Sequence, residues 1–81
     1  MRIKVLFFGR LKEIVGRAEE DVEIGEDHRL ADLYARYGAA YPEAERLRAS
    51  VVPSVNQEFA PWDSRLRPGD EVAFLPPVSG G

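Results

Sequence analysis

The stretch Asp27-His28-Arg29-Leu30-Ala31-Asp32-Leu33-Tyr34-Ala35-Arg36-Tyr37-Gly38 decides the fold class. Leu30, Leu33, Tyr34 and Tyr37 fall at i, i+3, i+4 and i+7, the apolar stripe of an amphipathic helix. Asp27 stands where a carboxylate can accept the unpaired amides of a first turn, so it is the expected N-cap. The helix is expected to end between Gly38 and Tyr41. Pro42 then opens a short helical turn through Leu47, because proline is tolerated at the first helical position.

Towards the N-terminus, residues 21–24 read as a strand with Val22 and Ile24 on one face. Residues 2–8 read as another. Ile3, Val5 and Phe7 alternate with Lys4, Leu6 and Phe8, so the first set points to the core and Phe8 lies at or near the surface. Gly9 ends this strand. Residues 10–15 suit a short helix with Leu11, Ile14 and Val15 on one side, stopped by Gly16.

Towards the C-terminus, Val51, Val52 and Val55 mark a third strand over 51–57, which Pro53 confines to an edge or a strand start. Phe59-Ala60-Pro61-Trp62 reads as an aromatic turn or loop. Pro68-Gly69 suits a type II turn, whose second central residue needs a positive φ. Residues 71–75 form the last strand, with Val72 and Phe74 inward and Ala73 and Leu75 outward. Two strands, a helix and further strands make an α+β sheet with one main helix packed across one face. The expected division is a domain over 1–75 and a tail over 76–81.

Composition narrows the function. Eighty-one residues make one domain with a small core. The sequence has no Cys, which excludes disulfides, thiol chemistry and cysteine metal ligands on this chain. Its one His, His28, has no second His to pair with, so no metal site is expected. The net charge is −3 and no basic run exists, which disfavours nucleic acid. Val5-Leu6-Phe7-Phe8 is far too short to span a membrane, and no signal segment is evident, so a cytoplasmic protein is expected.

The enzyme motifs are missing. There is no phosphate-binding G-x-x-x-x-G-K-[ST] and no G-x-G-x-x-G. Ser50, Ser54, Ser64 and Ser79 share one distant His, which argues against a serine triad. Asp70-Glu71 beside Pro68-Gly69 reads as turn chemistry rather than an acid/base pair. The chain is not expected to catalyse anything alone.

Gly80-Gly81 is where chemistry is expected instead. Glu71-Val72-Ala73-Phe74-Leu75 leads into Pro76-Pro77-Val78-Ser79-Gly80-Gly81, and the final two residues carry no side chains. A terminus of that kind can thread into a narrow site and offer its own carboxylate. Any Cβ there would crowd the approach, and glycine accepts unusual backbone angles. Pro76 and Pro77 stiffen the base of the tail and lower the ordering cost of insertion.

Met1-Arg2-Ile3-Lys4-Val5-Leu6-Phe7-Phe8, Leu11-Lys12-Glu13-Ile14-Val15-Gly16 and Val55-Asn56-Gln57, together with Leu66 through Gly81, resemble the small subunit of molybdopterin synthase. The run Gly69-Asp70-Glu71-Val72 followed by Pro76-Pro77-Val78-Ser79-Gly80-Gly81 is the most specific part. The resemblance implies a ubiquitin-like β-grasp fold with a mixed sheet. It implies that Gly81 is adenylated by an E1-like activating enzyme using ATP, then thiocarboxylated from a persulfide donor. It implies no cofactor bound by the chain itself. It implies further that the tail enters the large synthase subunit, which supplies the catalytic lysines, and donates sulfur to cyclic pyranopterin monophosphate. The implied assembly is a two-plus-two heterotetramer.

In such a fold the first and last strands lie side by side. Phe8 and Leu75 then face outward together, with Phe59 in a loop able to close over them. Three exposed apolar groups at the root of the tail form a candidate docking patch. Two other readings stay open. One is a sulfur carrier or protein modifier of another pathway, such as thiamine synthesis, tRNA thiolation or conjugation to lysines. The other is a non-covalent binding module whose tail has no chemistry.

Overall fold

A computed structural model describes residues 1–77. Five strands run β1 (Arg2–Phe7), β2 (Glu19–Glu23), β3 (Val52–Val55), β4 (Glu58–Phe59) and β5 (Glu71–Leu75). Three helices, α1 (Gly9–Val15), α2 (Leu30–Ala40) and α3 (Pro42–Leu47), and a 3₁₀ turn at Arg48–Ser50 complete the described elements. The sheet order is β2-β1-β5-β3-β4. The central pair, β1 and β5, is parallel and every other pair is antiparallel. A mixed sheet with its first and last strands paired at the centre is the β-grasp arrangement.

Alternation along the strands builds the core. Ile3, Val5 and Phe7 of β1 and Val72 and Phe74 of β5 are all buried on the inner face. The expected stripe of α2 faces them, with Leu30, Leu33, Tyr34 and Tyr37 buried. Phe74 is the hub of an aromatic cluster. Its ring lies 4.9 Å from that of Tyr34 at a steep angle and 6.1 Å from that of Trp62, nearly parallel. Edge-to-face and offset-stacked pairs of this kind add to the burial itself.

The start of α2 differs from expectation. Arg29, not Asp27, is the N-cap residue, and Glu26-Asp27 form a turn before it. The loop over residues 60–66 supplies what a capping side chain would. The carbonyls of Ser64 and Trp62 accept the amides of Leu30 and Ala31, while Asp32 accepts the Arg29 amide at 3.0 Å. With these donors satisfied by the loop and by Asp32, the helix does not need Asp27.

Other boundaries shift by a residue or more. The first strand stops at Phe7, the second spans Glu19–Glu23 with Ile24 buried just beyond it, and the third spans Val52–Val55. Pro53 lies in a strand with neighbours on both sides rather than at an edge. Its carbonyl faces the β4 side and accepts Ala60, so the amide that proline lacks falls where the two-residue β4 is ending. Gly69 takes φ +83 and Asp70 donates to the Arg67 carbonyl, which closes the expected Pro68-Gly69 turn.

Candidate functional site

Phe8 is fixed by the helix that follows it. It is the N-cap residue of α1, in an extended conformation, and its carbonyl accepts the amides of Leu11 and Lys12. The backbone then reverses at Gly9, which has φ +51. With both ends held, the Phe8 ring stands out from the sheet, 45% exposed.

Leu75 closes β5 opposite Val52 of β3. Pro76 follows and seats against Gly9, with its Cγ 3.2 Å from where a Cβ at that position would lie. Any larger residue at Gly9 therefore meets the tail root as well as the strain of a positive φ. Phe8, Gly9, Arg10, Glu13 and Leu75, together with Pro76 and Pro77, line a groove of about 760 Å³ at the tail root. Its charged pair is self-satisfied: Arg10 donates to Glu13 at 3.1 Å and also to Glu43. The bond to Glu13 and the charge of Glu43 raise the Arg10 pKa above its ordinary value.

Phe59 is not in a loop. It lies on β4, opposite Ser54 of β3, and is 76% exposed. A two-residue turn joins the strands, with Asn56 at φ 51 and Gln57 at φ 71, the left-handed geometry of a type I′ hairpin. Asn56 also ties this hairpin to the start of β5. Its side-chain carbonyl accepts the Glu71 amide and its side-chain amide donates to Asp70, both at 3.0 Å. Asparagine is among the few residues that accept this conformation, and here its side chain positions the strand that carries Phe59.

The three predicted docking residues come together. Phe8, Leu75 and Phe59 rim one shallow hollow of about 340 Å³ on the outer face of the sheet, with Leu6, Ser54 and Ala73 between them. Leu6, Ser54 and Ala73 were not among the expected docking residues, nor was Val52, which is 45% exposed beside Leu75. The signal for Leu6 was its place on the same strand face as Phe8. Ser54 and Val52 become legible only through cross-strand register. Pro76 and Pro77 leave from the rim, while Val78, Ser79, Gly80 and Gly81 lie outside the described residues.

The described part of this site is built for contact rather than for catalysis. Its groups are mainly apolar, and the acid and base at the tail root are bonded to each other. Fold and site together define a ubiquitin-like β-grasp domain with an apolar outer face at the root of its C-terminal segment. The chain belongs to the ThiS family, whose model matches residues 5–81. It is 41% identical over 83 residues to the molybdopterin synthase sulfur carrier subunit of Chlamydomonas reinhardtii, covering all of both chains. It is 37% identical to the protein of that name from Escherichia coli K12, covering 98% of this chain and 99% of the other. Among solved structures it is similar to a putative molybdopterin converting factor, subunit 1, from Pyrococcus furiosus, with a TM-score of 0.84 and 29% identity over 96% of this chain and 99% of that one.

Proposed function

We propose that this chain is the sulfur carrier of molybdopterin synthase and works in the cytoplasm. Full-length likeness to proteins named as that carrier supports the reading most directly. The placement of the tail root beside an apolar docking face agrees with it.

The working group in this reading is the Gly81 carboxylate. A carboxylate oxygen attacks the α-phosphorus of ATP held by an E1-like activating enzyme, releasing pyrophosphate and forming a mixed anhydride. The terminal sulfur of a persulfide attacks the acyl carbon and AMP leaves. A thiol then cleaves the resulting acyl disulfide, and a thiocarboxylate remains. The tail (Pro76, Pro77, Val78, Ser79, Gly80 and Gly81) carries this sulfur into the large synthase subunit, where it passes to cyclic pyranopterin monophosphate. Phe8, Phe59 and Leu75 hold the two subunits together in a heterotetramer. The catalytic side chains belong to the large subunit, and ATP to the activating enzyme.

Intact mass tests this. Incubation with ATP, a sulfur source and the host's activating enzyme adds about 16 Da, one oxygen replaced by sulfur. A chain lacking Gly81 gains nothing and supports no molybdopterin formation. An unchanged mass for the full chain, beside a control carrier that converts, overturns the proposal.

A further inference from the structure

Register across the outer face places Leu6 opposite Ala73, Ala73 opposite Ser54, and Ser54 opposite Phe59. One line across four strands therefore reads large, small, small, large. Beside it, Leu75 faces Val52, and Phe8 stands at the mouth of the same hollow. The two small residues are sunk, with Ala73 9% and Ser54 6% exposed, while the rings of Phe8 and Phe59 rise around them. The hollow is thus a built feature of strand pairing.

A flat partner surface would rest on the rim and leave a void above Ala73 and Ser54. Atoms lining such a void lose their contacts outright, whereas interface cores are packed as densely as protein interiors. A volume of about 340 Å³ is at the lower limit of small-molecule sites. One inserted side chain reaches its floor with flanking partner atoms filling the mouth, the kind of buried anchor that dominates binding energy.

We propose that this hollow is a socket for a single bulky apolar side chain of the protein that receives the tail, and that Ala73 and Ser54 set its depth and so its selectivity. The assignment of that protein as the large synthase subunit rests on the carrier reading above. Covalent reach argues for the occupant. From Pro76 to Gly81 the chain spans at most about 20 Å, so a protein enclosing the Gly81 carboxylate comes within about that distance of the tail root. Phe8 and Leu75 line both the tail groove and the socket, which makes the two surfaces continuous.

Filling the floor tests the proposal. Ala73→Leu and Ser54→Val add bulk at the floor of the hollow and keep or improve strand preference. The complex of the full chain with the large subunit is titrated calorimetrically, with circular dichroism and thermal melting as fold controls. Each substitution is expected to weaken binding by about thirtyfold or more, the loss of one anchor. The wild-type chain labelled on alanine methyls supplies a second measurement that no folding defect can spoil. In the complex, the Ala73 methyl is expected to show nuclear Overhauser contacts to aromatic or long aliphatic protons of the large subunit. A wild-type complex lacking those contacts, or folded variants that bind within about threefold of wild type, overturns the socket alone. No complex with the wild-type chain overturns the carrier reading and the occupant with it.

Discussion

Tyr34 stands where α2, α3 and β5 meet. Its ring packs on Phe74 and Trp62, and its phenol donates to the Ala44 carbonyl at 2.5 Å. Helix α3 is only six residues long and cannot satisfy all of its own carbonyls, so Tyr34 serves as part of its cap. Tyr34→Phe keeps the ring and strands a buried acceptor. It is expected to cost about 1–3 kcal/mol in urea unfolding. Burial, and secondarily the charge of Glu45, push the phenol up from 10.0 to about 12. The fold thus favours the neutral form. That contribution is fully present below the unfolded value and is lost as pH rises from about 10 to about 12, at roughly 1.4 kcal/mol per pH unit. Tyr37, raised by burial and by its bond to Glu20, adds a loss of the same sign. Stability measured across this range is expected to fall more steeply for wild type than for Tyr34→Phe. The spacing of Leu30, Leu33, Tyr34 and Tyr37 was readable in the sequence because helical period alone sets it. The partner of the Tyr34 hydroxyl was not, since it depends on how two helices meet.

Strand β5 does two jobs with alternate residues. Val72 and Phe74 fill the core, while Ala73 and Leu75 face outward. Substitutions on the two faces should separate cleanly. Phe74→Ala removes the hub of the aromatic cluster and is expected to cost about 3–5 kcal/mol, most of the stability of a small domain. Phe8→Glu or Leu75→Glu is expected to leave the thermal midpoint close to wild type and to abolish capture of the large subunit. Capture at wild-type strength would remove the docking role from these residues. This division was visible in the sequence because period-two alternation reports it directly. Phe59 was misplaced because two residues are too few to show any period, and the turn at Asn56-Gln57 lacks the glycine that usually signals such a hairpin. The small-residue floor was also hidden, because register between strands distant in sequence leaves no local mark.

At the scale of the molecule, most ionic pairs among the described residues are peripheral. The pairs Arg2–Glu23, Lys4–Glu19 and Arg10–Glu13 all lie between exposed side chains. Raising NaCl from about 0.1 to 1 M collapses their range, yet the change in unfolding free energy is expected to stay below about 1 kcal/mol. A larger loss would mean that charge, not the core, holds the sheet together. Element order disclosed the fold class, since two strands, a helix and further strands leave few arrangements. It could not disclose that β5 inserts between β1 and β3, because nothing local in residues 71–75 names a distant neighbour. That insertion bears on truncated chains. Of the described strands, the one that occupies the middle of the sheet is the last in chain order. A chain cut before Glu71 lacks the strand that pairs with both β1 and β3. In limited proteolysis a chain ending before Glu71 is therefore expected to be cleaved faster than one that includes β5, because the centre of its sheet is missing.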